Sequence, residues 1–212
     1  MNLNKIFLLI FSFFFLKQYC LAENFLRGGR PQLNFEFEKE KDSLDSSDGN
    51  SIAVYPGIRW EKGYINILEL RYSYEREIEN SNKLVVYENN KDFGIRIKKN
   101  FSISENFGGF FRVLVGRQVN QSISYNFGYI EPAFTYNINA FKNIKPFEFY
   151  VGYRIIKSID GTKNRDYDLF RLGPGWEIND KLDVEFRYTN GFDNLNKQKI
   201  KQSVELEITI KF

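Results

Sequence analysis

Glu205 and Glu207 stand two residues apart, a spacing that sets two carboxylates on the same face of an extended strand. Paired carboxylates can do general acid–base work, one giving a proton while the other takes it. The chain has no histidine, however, so a nucleophile–base relay of the usual hydrolase kind has no imidazole to run through. The same period-two placement of charge recurs in Glu36 and Glu38, in Glu69 and Arg71, in Arg96 and Lys98, and in Asp183, Glu185 and Arg187. Arginines and glutamates confined together pair bidentately into a salt-bridge network. In a wetter space they form opposed charged walls that select small polar or charged solutes. Asp42, Asp45 and Asp48 precede Gly49, but their spacing lacks the ligand order of a calcium loop. No metal site is expected there, and no cofactor.

These charges need strands to hold them. Residues 204–212 alternate without fault, with Val204, Leu206, Ile208, Ile210 and Phe212 on one face and Glu205, Glu207 and Lys211 on the other. The pattern recurs in 32–41, 51–61, 64–77, 84–98, 107–118, 125–137, 146–157, 167–178 and 181–189. Each segment is close to or above the roughly 9–11 residues that a tilted strand needs to cross a bilayer. Alternation alone fits either a sandwich with one wet face or a barrel with lipid outside and a polar lumen inside. Lys5, the apolar run 6–16 and Cys20-Leu21-Ala22 read as a secretory signal peptide over 1–22, leaving a barrel domain over 23–212. Cleavage there would remove the single cysteine. Beyond the signal no apolar stretch is long enough for a membrane helix, and a membrane protein without such helices must close its sheet. The expected fold is therefore all-β, a closed antiparallel transmembrane barrel of ten strands. Twelve is the next count, because connectors 99–106 and 138–145 have room for further short strands, and eight comes after it.

An even count puts both ends of the barrel domain on one side of the membrane. Residues 61–63 and 179–181 read as tight turns on that side, and 42–50, 78–83, 119–124, 158–166 and 190–199 as longer outer loops rich in Ser, Asn, Asp, Gly and Lys. A weak repeat links Pro56-Gly57, Phe93-Gly94, Pro132-Ala133 and Pro174-Gly175, each followed by an apolar–polar–apolar triplet. Its register points the first residue outward and the small one into the lumen, which predicts a bulge or kink where the wall curves. Trp60, Tyr64, Tyr136, Phe147, Trp176 and Phe212 then form one aromatic girdle, and Tyr72, Tyr74, Tyr153, Phe170 and Tyr188 the other.

The inward face brings together Arg59, Arg71, Arg96, Arg112, Arg154, Arg171 and Arg187 with Glu36, Glu38, Glu69, Glu185, Glu205 and Glu207. Strands one, nine and ten are mostly acidic and adjoin at the closing seam, facing a wall richer in arginine. These thirteen residues are the candidates for a lumen or constriction site. Lys5 and Lys17 leave with the signal, and the remaining charge is close to neutral with no long run of one sign, so no nucleic-acid partner is expected.

The run that ends on Phe212 resembles the terminal strand of Gram-negative outer-membrane barrel proteins. That resemblance implies an outer-membrane location, lipid as the main partner, recognition by the barrel-assembly machinery through Val204, Leu206, Ile208, Ile210 and Phe212, and a monomer. Ile130-Glu131-Pro132-Ala133-Phe134 and Phe186-Arg187-Tyr188 resemble segments of the oligogalacturonate-specific porin family, which implies a narrow solute channel. The acidic seam departs from that family's arginine tracks. Histidine-dependent outer-membrane enzymes share the architecture but have no site here to carry over. The expectation is a non-enzymatic barrel, structural or a narrow channel for small polar or charged solutes, with surface binding through the outer loops as the alternative.

Overall fold

The computed structural model describes residues 28–42, 48–61, 64–81, 84–119, 124–138, 147–160, 166–193 and 199–212. The signal-peptide reading over 1–22 lies outside them, as do Asp45 and most of connector 138–145. Ten strands run in chain order: β1 (Arg30–Asp42), β2 (Asp48–Arg59), β3 (Ile67–Ser81), β4 (Leu84–Ser102), β5 (Phe107–Val119), β6 (Ser124–Ile138), β7 (Phe147–Ser158), β8 (Tyr167–Asn179), β9 (Leu182–Asp193) and β10 (Lys199–Lys211). Each pairs antiparallel with its chain neighbours, and β1 pairs with β10 to close the barrel. Closure removes both sheet edges, which is what lets every strand shed its backbone polarity in lipid. The seam register sets Glu36 opposite Glu207 and Glu38 opposite Glu205, as the acidic seam requires.

What is inside and what is outside is inverted relative to a water-soluble domain. Every strand exposes an outward apolar residue, among them Phe37, Ile52, Leu70, Ile95, Val115, Phe134, Val151, Phe170, Phe186 and Val204. The largest fully buried side chains begin with Arg96, Arg112, Arg171 and Arg187. A charged interior under a continuous apolar coat is stable when the surrounding solvent is hydrocarbon. Toward the end away from the termini, Leu114, Tyr125, Phe127, Tyr129, Ile156 and Leu169 form one buried cluster projecting into the lumen from β5 to β8. Phe110, Ala133 and Tyr150 form a second.

Several boundaries differ from the pattern-based expectation. Residues 78–81 are strand rather than loop: pairing continues to Ser81↔Leu84, so β3 and β4 form a hairpin that outruns its neighbours, with 82–83 outside the described residues. Strand β2 stops pairing at Asp48↔Ile78 and β5 at Lys91↔Val119. The polar residues there were read as loop because composition outweighs alternation in so short a window. The connector expected at 61–63 instead reaches from Trp60 to Asn66, its ends joined by the Trp60 N–H to Asn66 C=O bond of 2.7 Å and 62–63 lying outside the described residues, and β3 begins at Ile67. Connector 99–106 shrinks to 103–106, since β4 runs to Ser102 and leaves no room for a further strand. Strand β9 likewise runs through Asn190 to Asp193, into the segment expected as loop, and 194–198 lie outside the described residues.

The expected bulges at the prolines are absent. Pairing lapses between Val54↔Tyr72 and Gly57↔Glu69, between Ile130↔Ile155 and Ala133↔Gly152, and between Leu172↔Tyr188 and Gly175↔Glu185, yet the register is the same on both sides of each lapse. Pro56, Pro132 and Pro174 lack an N–H, so the ladder loses a donor there without inserting a residue. The small residues that follow have a second role, clearance. A Cβ on Gly57 would overlap the Glu69 side chain and approach Leu68 O to 2.7 Å.

Candidate functional site

Glu131 on β6 is fully buried and gathers three arginines from three other strands. Arg154 approaches it at 2.7 Å, Arg171 at 3.0 Å and Arg112 at 3.6 Å, while the Tyr150 hydroxyl donates to Oε1. Arg171 reaches onward to Glu205 on β10, and Glu205 also accepts from Arg187. Arg187 pairs in turn with Glu185 and Glu207. Glu207 accepts from Asn34 and lies 3.5 Å from Arg96, whose Nε donates to Glu69 at 2.6 Å and whose Nη1 is 3.8 Å from Glu36. One connected lattice therefore crosses the lumen from β7 to β1. Alternation explains how the sequence builds it: each charged residue sits at an inward position, and strand order brings acid-rich β10 and β1 within reach of arginines from β4, β8 and β9.

Aromatic rings complete the packing. The Arg96 guanidinium lies 3.7 Å from the Tyr55 ring centroid, Arg154 lies 4.2 Å from that of Tyr129, and Phe110 stacks on Tyr150 at 5.5 Å. Tyr55 also donates to Glu36 at 3.1 Å. Such contacts support a guanidinium where water is excluded. Tyr150 fits because its ring lies over Gly152, where a Cβ would overlap the phenol.

Of the predicted lumen residues, Arg96, Arg112, Arg154, Arg171, Arg187, Glu36, Glu69, Glu185, Glu205 and Glu207 come together in this lattice. Three lie apart. Glu38 is toward the opposite end, 3.4 Å from Lys201, which also pairs with Glu40. Arg71 lies 3.5 Å from Asp92 and near Tyr55. Arg59 faces the termini end and has no ion pair among the described residues. Reading only charges missed Tyr55, Tyr129, Tyr150, Phe110, Gln32, Asn34 and Asp92. Their inward parity was available in the sequence, since each lies an even number of residues from an assigned lumen position.

The carboxylates of Glu36, Glu205 and Glu207 have oxygens within 4.8 Å of one another, the one grouping here with metal-like geometry among the described residues. Arg96, Arg171 and Arg187 already supply its counter-charge, so a cation would have to displace guanidinium groups.

Toward the termini end the lattice gives way to a cavity of about 410 Å³, lined in part by Arg59, Lys98, Arg112, Glu148, Glu185 and Lys211. Asn66 fixes its rim. The Asn66 N–H donates to Lys98 C=O at 3.0 Å, its Oδ1 accepts from Asn100 N–H at 2.9 Å, and its Nδ2 donates to Trp60 C=O at 3.1 Å. The 60–66 connector is thereby tied to β4. On the far wall Lys211 pairs with Asp183 at 2.5 Å and lies 3.9 Å from Glu177.

No family model matches the sequence, and no curated protein matches it. The structure of the β domain of the Bordetella autotransporter BrkA superposes with a TM-score of 0.52 at 9% identity, over 87% of this chain and 100% of that one. The translocator domain of the autotransporter NalP from Neisseria meningitidis aligns over 96% of both chains with a TM-score of 0.45 at 10% identity. The NanC porin aligns over 84% of this chain and 100% of that one, with a TM-score of 0.45 at 11% identity. At 9% identity the BrkA likeness is one of fold, that of a Gram-negative outer-membrane β-barrel.

Proposed function

We propose that this barrel is closed to solutes and works as a structural outer-membrane protein rather than as a channel. The observation that carries the reading is the lattice running Arg154–Glu131–Arg171–Glu205–Arg187–Glu207–Arg96–Glu69 across the lumen, every member of it buried. A solute would have to break charge-assisted bonds in a confined space and then pass the apolar cluster around Leu114 and Phe127. No catalysis is assigned: the carboxylates are committed to arginines, and there is no histidine to act as base. Planar-bilayer recording with the refolded protein tests the closed state. Current indistinguishable from bare lipid is the expected result, and discrete conductance steps would overturn it.

One observation favours surface binding as a second role. The β3–β4 hairpin extends beyond both flanking strands, so among the described residues 84–90 pair only with β3. Strand backbone with an unpaired side can accept a partner's strand by edge addition. Shortening this hairpin should abolish attachment to a host or neighbouring cell surface if the reading is right. Unchanged attachment by a folded deletion variant would remove it.

A further inference from the structure

Backbone register places four basic residues in one transverse row of the lumen wall. Arg30 lies opposite Arg59, Arg59 opposite Ile67, Ile67 opposite Lys98, and Lys98 opposite Arg112. Neighbouring strands are about 5 Å apart, so the long side chains of Arg59, Lys98 and Arg112 can converge over the smaller Ile67. Like charges on directly opposed residues repel. Lys98 and Arg112 share one ring as counterpart, at 4.1 Å and 4.8 Å from the Phe110 centroid.

Their charge is poorly compensated within the described residues. Neither Arg59 nor Lys98 has a carboxylate within ion-pair distance, and Arg112 is 3.6 Å from a Glu131 already engaged by Arg154 and Arg171. Arg59 Nε and Arg112 Nε and Nη1 are buried donors with no hydrogen-bond partner. The acids across the cavity are otherwise occupied: Glu185 by Arg187, and Asp183 by Lys211. Glu148 alone on that wall lacks an ion pair, and it would repel an anion. The cavity lining as a whole is close to charge balance, so the positive excess is local to the Arg59–Lys98–Arg112 row, where water could satisfy the orphaned donors but not the like-charge repulsion.

We propose that the cavity at the termini end is a binding site for a small oxyanion, a carboxylate or phosphate group held by Arg59, Lys98 and Arg112. Three convergent cations match the several lone pairs of such a group, and the cavity volume admits a metabolite-sized molecule. The lattice behind it makes the site a cul-de-sac, accessible from the termini side and suited to capture rather than to passage. The site does not depend on the barrel's being closed: a conducting barrel could still carry it.

Trp60 lines the same cavity and is one of two tryptophans in the chain. Full-length protein carrying Trp176→Phe and refolded in micelles is titrated with inorganic phosphate, and separately with succinate, against chloride at equal ionic strength. A saturable change in Trp60 emission with an oxyanion but not with chloride is expected. Arg59→Gln with Lys98→Gln should weaken it by about tenfold or more, since two charge-assisted contacts are lost. Neither side chain holds an ion pair, so the variant should unfold at the parent's temperature. Glu148→Gln, which removes the opposing charge, should tighten binding. No saturable response to either oxyanion, or a response that the double substitution leaves unchanged, would overturn the site, as would weaker binding on Glu148→Gln.

Discussion

Glu131 is a three-way junction of the interior, because one carboxylate faces three guanidinium groups out of reach of water. Glu131→Gln would leave Arg112 and Arg154 crowded and without a carboxylate partner among the described residues, and Arg171 with Glu205 alone. Breaking a buried pair on one side costs about 3–5 kcal/mol, so the temperature at which the barrel loses its folded mobility on gels should fall sharply. Glu61→Gln is the control. It breaks the exposed Arg30–Glu61 pair of 3.3 Å, and surface pairs contribute little. Gly57→Ala tests clearance: displacing Glu69 would loosen its bonds to Arg96 and Gln32, with an expected loss of about 1–3 kcal/mol in unfolding measurements. The charged members of the lattice were legible in the sequence, since inward parity follows from alternation. The aromatic members were not separated out, because a tyrosine at an inward position reads equally as girdle, filler or hydrogen-bond donor until its neighbours are known.

At the level of elements, the strands divide into a shared wall and one projection. All ten inter-strand pairings close the wall, and the β3–β4 pairing also carries the hairpin that leaves it. Replacing residues 78–87 by a two-residue turn should therefore leave refolding yield and heat resistance of the barrel unchanged. A loss of either would mean that the hairpin supports the wall. Each proline opens the ladder toward one neighbour only, Pro56 toward β3, Pro132 toward β7 and Pro174 toward β9. The repeat was visible in the sequence, but whether it inserted a residue depended on the partner strand's register. A bulge and a simple lapse have the same local composition.

Across the whole molecule, the interior is an ionic lattice in its middle, an apolar cluster toward the loops and a charged cavity toward the termini. Buried pairs are screened by salt much less than exposed ones, so raising sodium chloride from 0.1 M to 1 M, where the Debye length falls from about 10 Å to 3 Å, should barely change the unfolding temperature. A large drop would indicate a lumen open to ions and would argue against the closed barrel. The sequence by itself determined the all-β class, the two-faced strands and the sign of charge at each inward position, because period-two alternation is a local property of the chain. That ten strands rather than twelve close the barrel came from the register at 99–106. Only the tertiary structure decided which acid meets which arginine, that the ion pairs join into one lattice across the lumen at mid-height, and that Arg59, Lys98 and Arg112 are left without full compensation. Those outcomes depend on strand order, stagger and side-chain reach across the barrel, which bring together residues as far apart as Asn34 and Glu207.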